Sequence, residues 1–326
     1  MQVDVTFLIP AFNAENTIGL AIGSALAQEN VSVEVVVVDD HSHDGTIDIA
    51  SSFDAGKVRV LALPHNRGPG GARNAGLEIA RGRWVAMLDA DDAVYPDRMR
   101  RLLQLAEEED AQIVVDNINV IGEGGGSSRA MFDHAHLAGL RELTLERFIA
   151  GNLLFRRTFS FGYMKPVFER QFLLENSIRY MERLPVGEDY LFMASALAQG
   201  ARCAVEPKAG YIYLVRAGSI SRVLRLDHVE AMLEADRVFL SEHRLGAAAS
   251  AAQRKRTRSL EQGAAFLEIV DHLKERSPTK ALSAAARDPM ALWHLRMPVA
   301  ARLKRMLQAA TPLPRPRDRA PSFNAE

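Results

Sequence analysis

Over residues 1–115, short apolar runs rich in β-branched side chains alternate with stretches of helical period, and this limits the chain to few architectures. Val3–Pro10, Val33–Val38, Val58–Leu63 and Trp84–Leu88 read as strands, and Ile113–Val115 opens a fifth. Between them Ile18, Ala21, Ile22 and Ala25 recur at helical spacing, with Asn13 as the expected N-cap. Ile47–Phe53, Ala72–Ala80 and Asp97–Glu108 complete the helices. The dense valines at 35–38 suit a parallel strand covered on both faces. The pattern predicts an α/β fold with a Rossmann-like, mostly parallel sheet flanked by helices. Ligands of such sheets lie beyond the carboxyl ends of the strands. The polar clusters fall there: Asn13, Asp39–Asp40, His65–Arg67 and Asp89–Asp92.

After residue 120 the alternation loosens. Gly122–Ser128 reads as a Gly/Ser-rich loop, and residues 228–245 and 260–273 as helices. We expect one domain over residues 1–225 and a helical, basic region over 226–326, ending in a disordered Pro/Arg-rich tail at Pro312–Pro321. Residues 253–326 carry fifteen basic against seven acidic side chains, although the whole chain is near neutral at −1. That balance argues against a nucleic-acid binder. In Arg296–Leu307, Val299, Leu303, Met306 and Leu307 share one helical face, with Arg302, Lys304 and Arg305 on the other. Such a helix lies on an anionic membrane surface or packs on the preceding domain. A single cysteine, Cys203, excludes an internal disulfide framework and a multi-cysteine metal site. No run approaches the ~18 apolar residues of a membrane span. A cytoplasmic protein is expected, free or peripheral on the cytosolic face of the inner membrane.

Four motifs carry chemistry. Val35–Thr46, VVVVDDHSHDGT, brings Asp39 and Asp40 to a sheet edge, where carboxylates select a donor such as a pyrimidine imide or merely cap the next helix. Asn66–Gly76, NRGPGGARNAG, offers glycine-rich backbone and Arg73 to a phosphate, or is a structural turn. Its spacing fits neither the dinucleotide fingerprint nor a lysine-bearing phosphate loop. Trp84–Asp92, WVAMLDADD, ends in three carboxylates that need a neutralising cation, and their oxygens suit Mg²⁺ or Mn²⁺ shared with substrate phosphates. Gly187–Asp189 precedes an apolar helical run, as a helix start or as a general base for a sugar hydroxyl.

Taken in order with LIPAFN at 8–13, these motifs resemble the inverting family-2 glycosyltransferases of GT-A fold, over about the first 225 residues. The chain is similar to the succinoglycan-type exopolysaccharide glucosyltransferases of rhizobia. The resemblance implies roles. Pro10, Phe12 and Asn13 meet the nucleotide base, Phe12 standing where Tyr is common. Asp40 binds uracil and Asp39 supports the loop. Arg73 lies near base or diphosphate, Asp89 faces ribose and metal, and Asp91 ligates the metal. Asp189 is the catalytic base, with Glu188 beside it. The implied reaction is metal-dependent single displacement from UDP-glucose to a glycan or lipid-linked oligosaccharide acceptor. Phe161–Lys165 lines the acceptor site or the core, and Arg216, Ser219 and Ser221 close over the diphosphate or form a surface turn. Two alternatives compete. A sugar-phosphate nucleotidyltransferase needs a basic Gly-rich signature near the first strand, and residues 10–17 hold no Lys or Arg. A non-catalytic carbohydrate- or membrane-binding scaffold would lack Asp91 or Asp189, and both are present.

Overall fold

The computed structural model describes residues 3–122, 128–155, 160–215 and 224–291. It divides into two compact units, Met1–Ala264 and Ala265–Glu326. The expected loop at 122–128, Arg216 with Ser219 and Ser221, the helix at 296–307 and the tail at 312–321 fall wholly or mainly outside the described residues.

The first unit opens as the alternation predicts: β1 (Val5–Ala11), α1 (Ile18–Leu26), β2 (Val33–Asp39), α2 (Thr46–Ser51), β3 (Val58–Ala62), α3 (Gly68–Ile79) and β4 (Trp84–Met87). These four strands pair in parallel in the order β3-β2-β1-β4, and the side chains of Val35–Val38 are fully buried. There follow β5 (Ala93–Val94), α4 (Arg98–Glu108), β6 (Ile113–Ile121), β7 (Arg129–Ala130), α5 (His134–Ala138), α6 (Leu145–Gly151), a 3₁₀ turn at Phe161–Tyr163, β8 (Val167–Glu169), α7 (Arg170–Glu175), α8 (Glu188–Ala198) and β9 (Cys203–Leu214). The sheet continues β4-β8-β6-β9-β5. β8 runs antiparallel between β4 and β6, and the long β9 lies parallel to β6 with a register break near Asn117. β5 pairs antiparallel with the end of β9, which brings residues 211–214 against the acidic turn that closes β4.

Two local expectations change. Asn13 is not the N-cap of α1; Thr17 holds that place, and Asn13 takes a left-handed φ of 49°. Its backbone N–H donates to Ser42 Oγ and its Oδ1 accepts from His43 N, both at 2.9 Å, so it ties the end of β1 to the loop after β2. The GPGG run is not a loop before a helix beginning at Ala72. It is the first turn of α3, with Pro69 in a position that needs no N–H partner.

The first compact unit also extends past residue 225. The helices α9 (Leu226–Glu242) and α10 (Ala247–Lys274) are seated by a buried ion pair, Arg256 Nε to Asp236 Oδ2 at 3.0 Å. Arg256 also donates to the Asn152 carbonyl at 2.8 Å and stacks 3.5 Å from the Tyr190 ring centroid. These contacts bind α9 and the first part of α10 to the sheet domain. Within the second unit, α11 (Pro278–Arg287) pairs Arg287 with Glu268 of α10 at 2.5 Å.

Candidate active site

The site forms at the carboxyl ends of β1, β2 and β4 and the start of α8. At the first, Pro10 is half-buried, while Phe12 and Asn13 are exposed. Asp39 and Asp40 end β2 and are both buried. Asp40 N donates to the Ala11 carbonyl, and Asp40 Oδ1 accepts from Arg67 N at 2.7 Å. Asp39 Oδ2 accepts from Ser42 N at 2.9 Å, while its buried Oδ1 has no hydrogen-bond partner among the described residues. The loops after β1, β2 and β3 therefore knit around the double Asp.

Six residues further along α3, about 9 Å at helical rise, Arg73 enters a second cluster. It donates from Nη1 to Glu188 Oε1 at 2.8 Å and from Nη2 to Asp89 Oδ1 at 3.2 Å, and Nη1 lies 3.4 Å from Asp189 Oδ1. Its guanidinium stands over the Tyr180 ring, 5.4 Å from the centroid. Its buried Nε has no partner among the described residues. Lys165 approaches with Nζ 2.6 Å from Asp89 Oδ2 and 3.7 Å from Asp189 Oδ2. Carboxylates from the β4 turn and from the first turn of α8 thus share two cations.

Charge balance follows. Burial raises the Asp89 carboxyl, but Lys165 and Arg73 outweigh it and hold it below the usual carboxylate range. Burial and the Asp189 charge push Glu188 up, against Arg73. Burial lowers the Lys165 ammonium, yet Asp89 and Asp189 leave it raised. Asp92 is fully enclosed. It accepts from Tyr211 OH at 2.8 Å and from Leu214 N at 2.9 Å. Burial, with the Asp89 charge, pushes its carboxyl up to about 7. Asp91 lies half-buried between them.

The aspartates of the DADD turn therefore differ. Both oxygens of the half-buried Asp89 face cations, Asp92 is buried and locked to β9, and Asp91 is half-buried. Among the described residues no three His, Cys, Asp or Glu side chains converge on a metal position.

The structure brings Arg73, Asp89, Glu188 and Asp189 into contact, and groups Asn13, Asp39 and Asp40 at the far end of α3. Glycines of α3 serve packing: a Cβ on Gly76 would meet Leu8 at 2.8 Å. Sequence reasoning left Tyr180 and Tyr211 unassigned, and their partners lie too far along the chain for any local pattern to signal them. Lys165 it left between acceptor lining and core. Its signal was an isolated cation in an apolar segment, MKPVF.

Residues 6–172 match the family described as glycosyl transferase family 2. Over 303 residues the chain is 55% identical to the succinoglycan biosynthesis protein ExoO of Rhizobium meliloti (strain 1021), spanning 93% of this chain and 87% of that one. It is 34% identical over 297 residues to ExoU of the same organism, 89% of this chain and 84% of that one. The structure of S. aureus TarS 1–349 in complex with UDP-GlcNAc aligns with a TM-score of 0.63 at 20% identity, over 88% of this chain and 92% of that one, which bears out the GT-A fold.

Proposed function

The chain belongs to glycosyltransferase family 2, and on that premise we propose that it transfers glucose from UDP-glucose to a hydroxyl of a lipid-linked exopolysaccharide intermediate, with inversion. The observation that supports this most is the meeting of Asp89 and Asp189, from remote parts of the chain, around Arg73 and Lys165. The names of the ExoO and ExoU relatives support exopolysaccharide assembly as the setting.

In this reading Asp40 accepts the uracil imide N–H, and the unused Oδ1 of Asp39 adds a second buried acceptor beside it. Phe12, half exposed at 50%, covers the base with Pro10 and Asn13 at the strand end. Arg73, its guanidinium held by Glu188 and Asp89, lends positive charge to the diphosphate. Among the described residues neither cation makes a hydrogen bond to Asp189, and in this reading its carboxylate accepts from the acceptor hydroxyl.

The acceptor oxygen attacks C1 of the sugar as the C1–O bond to the diphosphate breaks. The bonding pair leaves with the diphosphate, and the hydroxyl proton passes to Asp189. One displacement converts an α-linked donor to a β-linked product. Asp91, with donor phosphate oxygens, would hold a Mg²⁺ or Mn²⁺ that supplies positive charge against the leaving group. Asp89 anchors the two protein cations and faces the ribose. In this reading Tyr163, 37% exposed and two residues before Lys165, stacks on an acceptor sugar. The basic chain end supports attachment to the cytosolic membrane face, where a lipid-linked acceptor resides. Among the described residues no helix is long and apolar enough to cross a membrane.

Calorimetry with UDP, with and without Mn²⁺, tests the donor site. Mn²⁺ should tighten UDP binding by about tenfold or more, a charge-pairing effect of at least ~1.4 kcal/mol. Asp91→Ala should remove that gain while leaving metal-free affinity unchanged. UDP binding indifferent to both changes contradicts the metal assignment. Asp189→Asn should bind UDP normally and lose transfer by about 10²-fold or more; turnover at the wild-type rate would assign the base elsewhere.

A further inference from the structure

The roles above leave one enclosed cation without a task. Lys165 lies between the 3₁₀ turn and β8, with its side chain only 11% exposed. Its main chain is anchored: the Lys165 carbonyl accepts from Arg98 Nη2 at 2.6 Å. Arg98 itself makes paired bonds of 2.8 and 2.9 Å to Asp116, and both side chains are fully buried. A fixed guanidinium therefore fixes the start of the lysine arm.

The far end of that arm is equally constrained. Asp89 is held from behind, its backbone N–H donating to Tyr211 OH at 3.1 Å. Lys165 approaches the Oδ2 atoms of Asp89 and Asp189, and Arg73 approaches their Oδ1 atoms. Each carboxylate thus turns one oxygen to each cation. Two carboxylates meeting in an enclosed space repel unless cations stand between them. Asp89 is gripped at 2.6 and 3.2 Å, whereas Asp189 is held more loosely at 3.4 and 3.7 Å. The cations therefore locate Asp189 by charge without consuming its hydrogen-bonding capacity.

We propose that Lys165 is a positioning residue which, with Arg73, ties the donor-side carboxylate Asp89 to Asp189 and so sets the place of the base relative to the leaving diphosphate. The inference rests on the reading of Asp189 as the base. Arg73 alone cannot supply the tie, because its strongest bond goes to Glu188. Without Lys165, Asp189 keeps one long contact and faces Asp89 with half of the compensating charge.

Lys165→Met, close in length but uncharged, tests this. Because misplacing a reacting group by about 1 Å costs on the order of 10²-fold, kcat should fall by about 30- to 100-fold. The KM for donor and the Kd for UDP should stay within about threefold, since Arg73 at 3.2 Å and the backbone bond to Tyr211 still hold Asp89 in place. UDP binding also reports that the variant is folded. Lys165→Gln, which can still donate to Asp89, should show the same loss, and Lys165→Arg, which keeps the charge, should recover most of kcat. Wild-type kcat in Lys165→Met and Lys165→Gln would overturn the proposal. So would a tenfold weaker UDP affinity with kcat intact, the mark of a donor ligand. Asp189→Asn, measured alongside, separates the two readings. If it keeps full turnover, the base itself is wrongly assigned. If it is inactive while Lys165→Met is fully active, only the role of Lys165 fails.

Discussion

Gly76 is fixed by its neighbour rather than by its backbone. It is helical, and a methyl group there would stand 2.8 Å from the fully buried Leu8 of β1. Only the bare backbone lets α3 sit close enough to the sheet for Arg73 to reach both Asp89 and Glu188. Gly76→Ala adds helix propensity worth about 1 kcal/mol, but the overpacking costs about 1–3 kcal/mol in a side chain with no free space. We expect a net lower Tm and, because α3 is pushed outward, weaker UDP binding by calorimetry. An unchanged Tm and affinity would mean that Leu8 yields freely. Asp92 shows a different local logic. Its carboxylate is one of three in the motif, yet Tyr211 and Leu214 enclose it, so its service is to lock β9 against the acidic turn.

At the level of elements, α8 is the piece on which the proposed chemistry depends, since its first turn carries Glu188 and the proposed base Asp189. Its seat is made by α9 and α10. Tyr190 lies under Arg256, and Gly187, at φ 93°, packs against Met232. Gln253 adds a 2.9 Å bond to Asp236. Removing Arg256 leaves a buried carboxylate uncompensated, so Arg256→Met should cost about 3–5 kcal/mol in chemical denaturation. Burial already raises the Asp236 carboxyl despite Arg256, and without the arginine it rises further. A folded-state value above the unfolded one gives stability that fades as pH rises. The deficit of Arg256→Met should therefore be larger at pH 8 than at pH 5, and Arg256→Met combined with Asp236→Asn should lose that pH dependence. A deficit equal at both pH values would show that Asp236 is not the group left exposed to the loss.

For the whole molecule, charge is partitioned along the chain. Residues 253–326 hold fifteen of the forty basic side chains but seven of the forty-one acidic ones. An excess of this kind near one end attracts an anionic surface over about a Debye length, ~8 Å at physiological salt. Deleting residues 296–326 should reduce co-sedimentation with anionic phospholipid vesicles at least several-fold, while UDP affinity stays within about threefold because the residues proposed to bind the donor all lie in the first unit. Co-sedimentation that survives the deletion would place membrane contact elsewhere. The helices from residue 226 to about 264 belong with the catalytic core, a division that composition does not reveal because a basic helix reads alike on a surface or against a neighbour.

The residues alone settled the alternation of strands and helices up to about residue 115 and the placing of acidic and glycine-rich clusters at the strand ends. Periodicity, β-branching and turn chemistry are local properties that a short window of sequence carries. It was the resemblance carried by the ordered motifs, not those local properties, that brought Asp40, Arg73, Asp89, Asp91 and Asp189 into view as a set. Only the tertiary structure decided what each carboxylate is free to do. Pairing of β5 with β9 encloses Asp92, insertion of β8 between β4 and β6 carries Lys165 to Asp89, and close seating of α3 turns a glycine-rich run into a helix. The bonds responsible span 115 residues from Arg73 to Glu188 and 122 from Asp89 to Tyr211. Ion pairing depends on distance in space, and that distance is set by strand order, which no local pattern records.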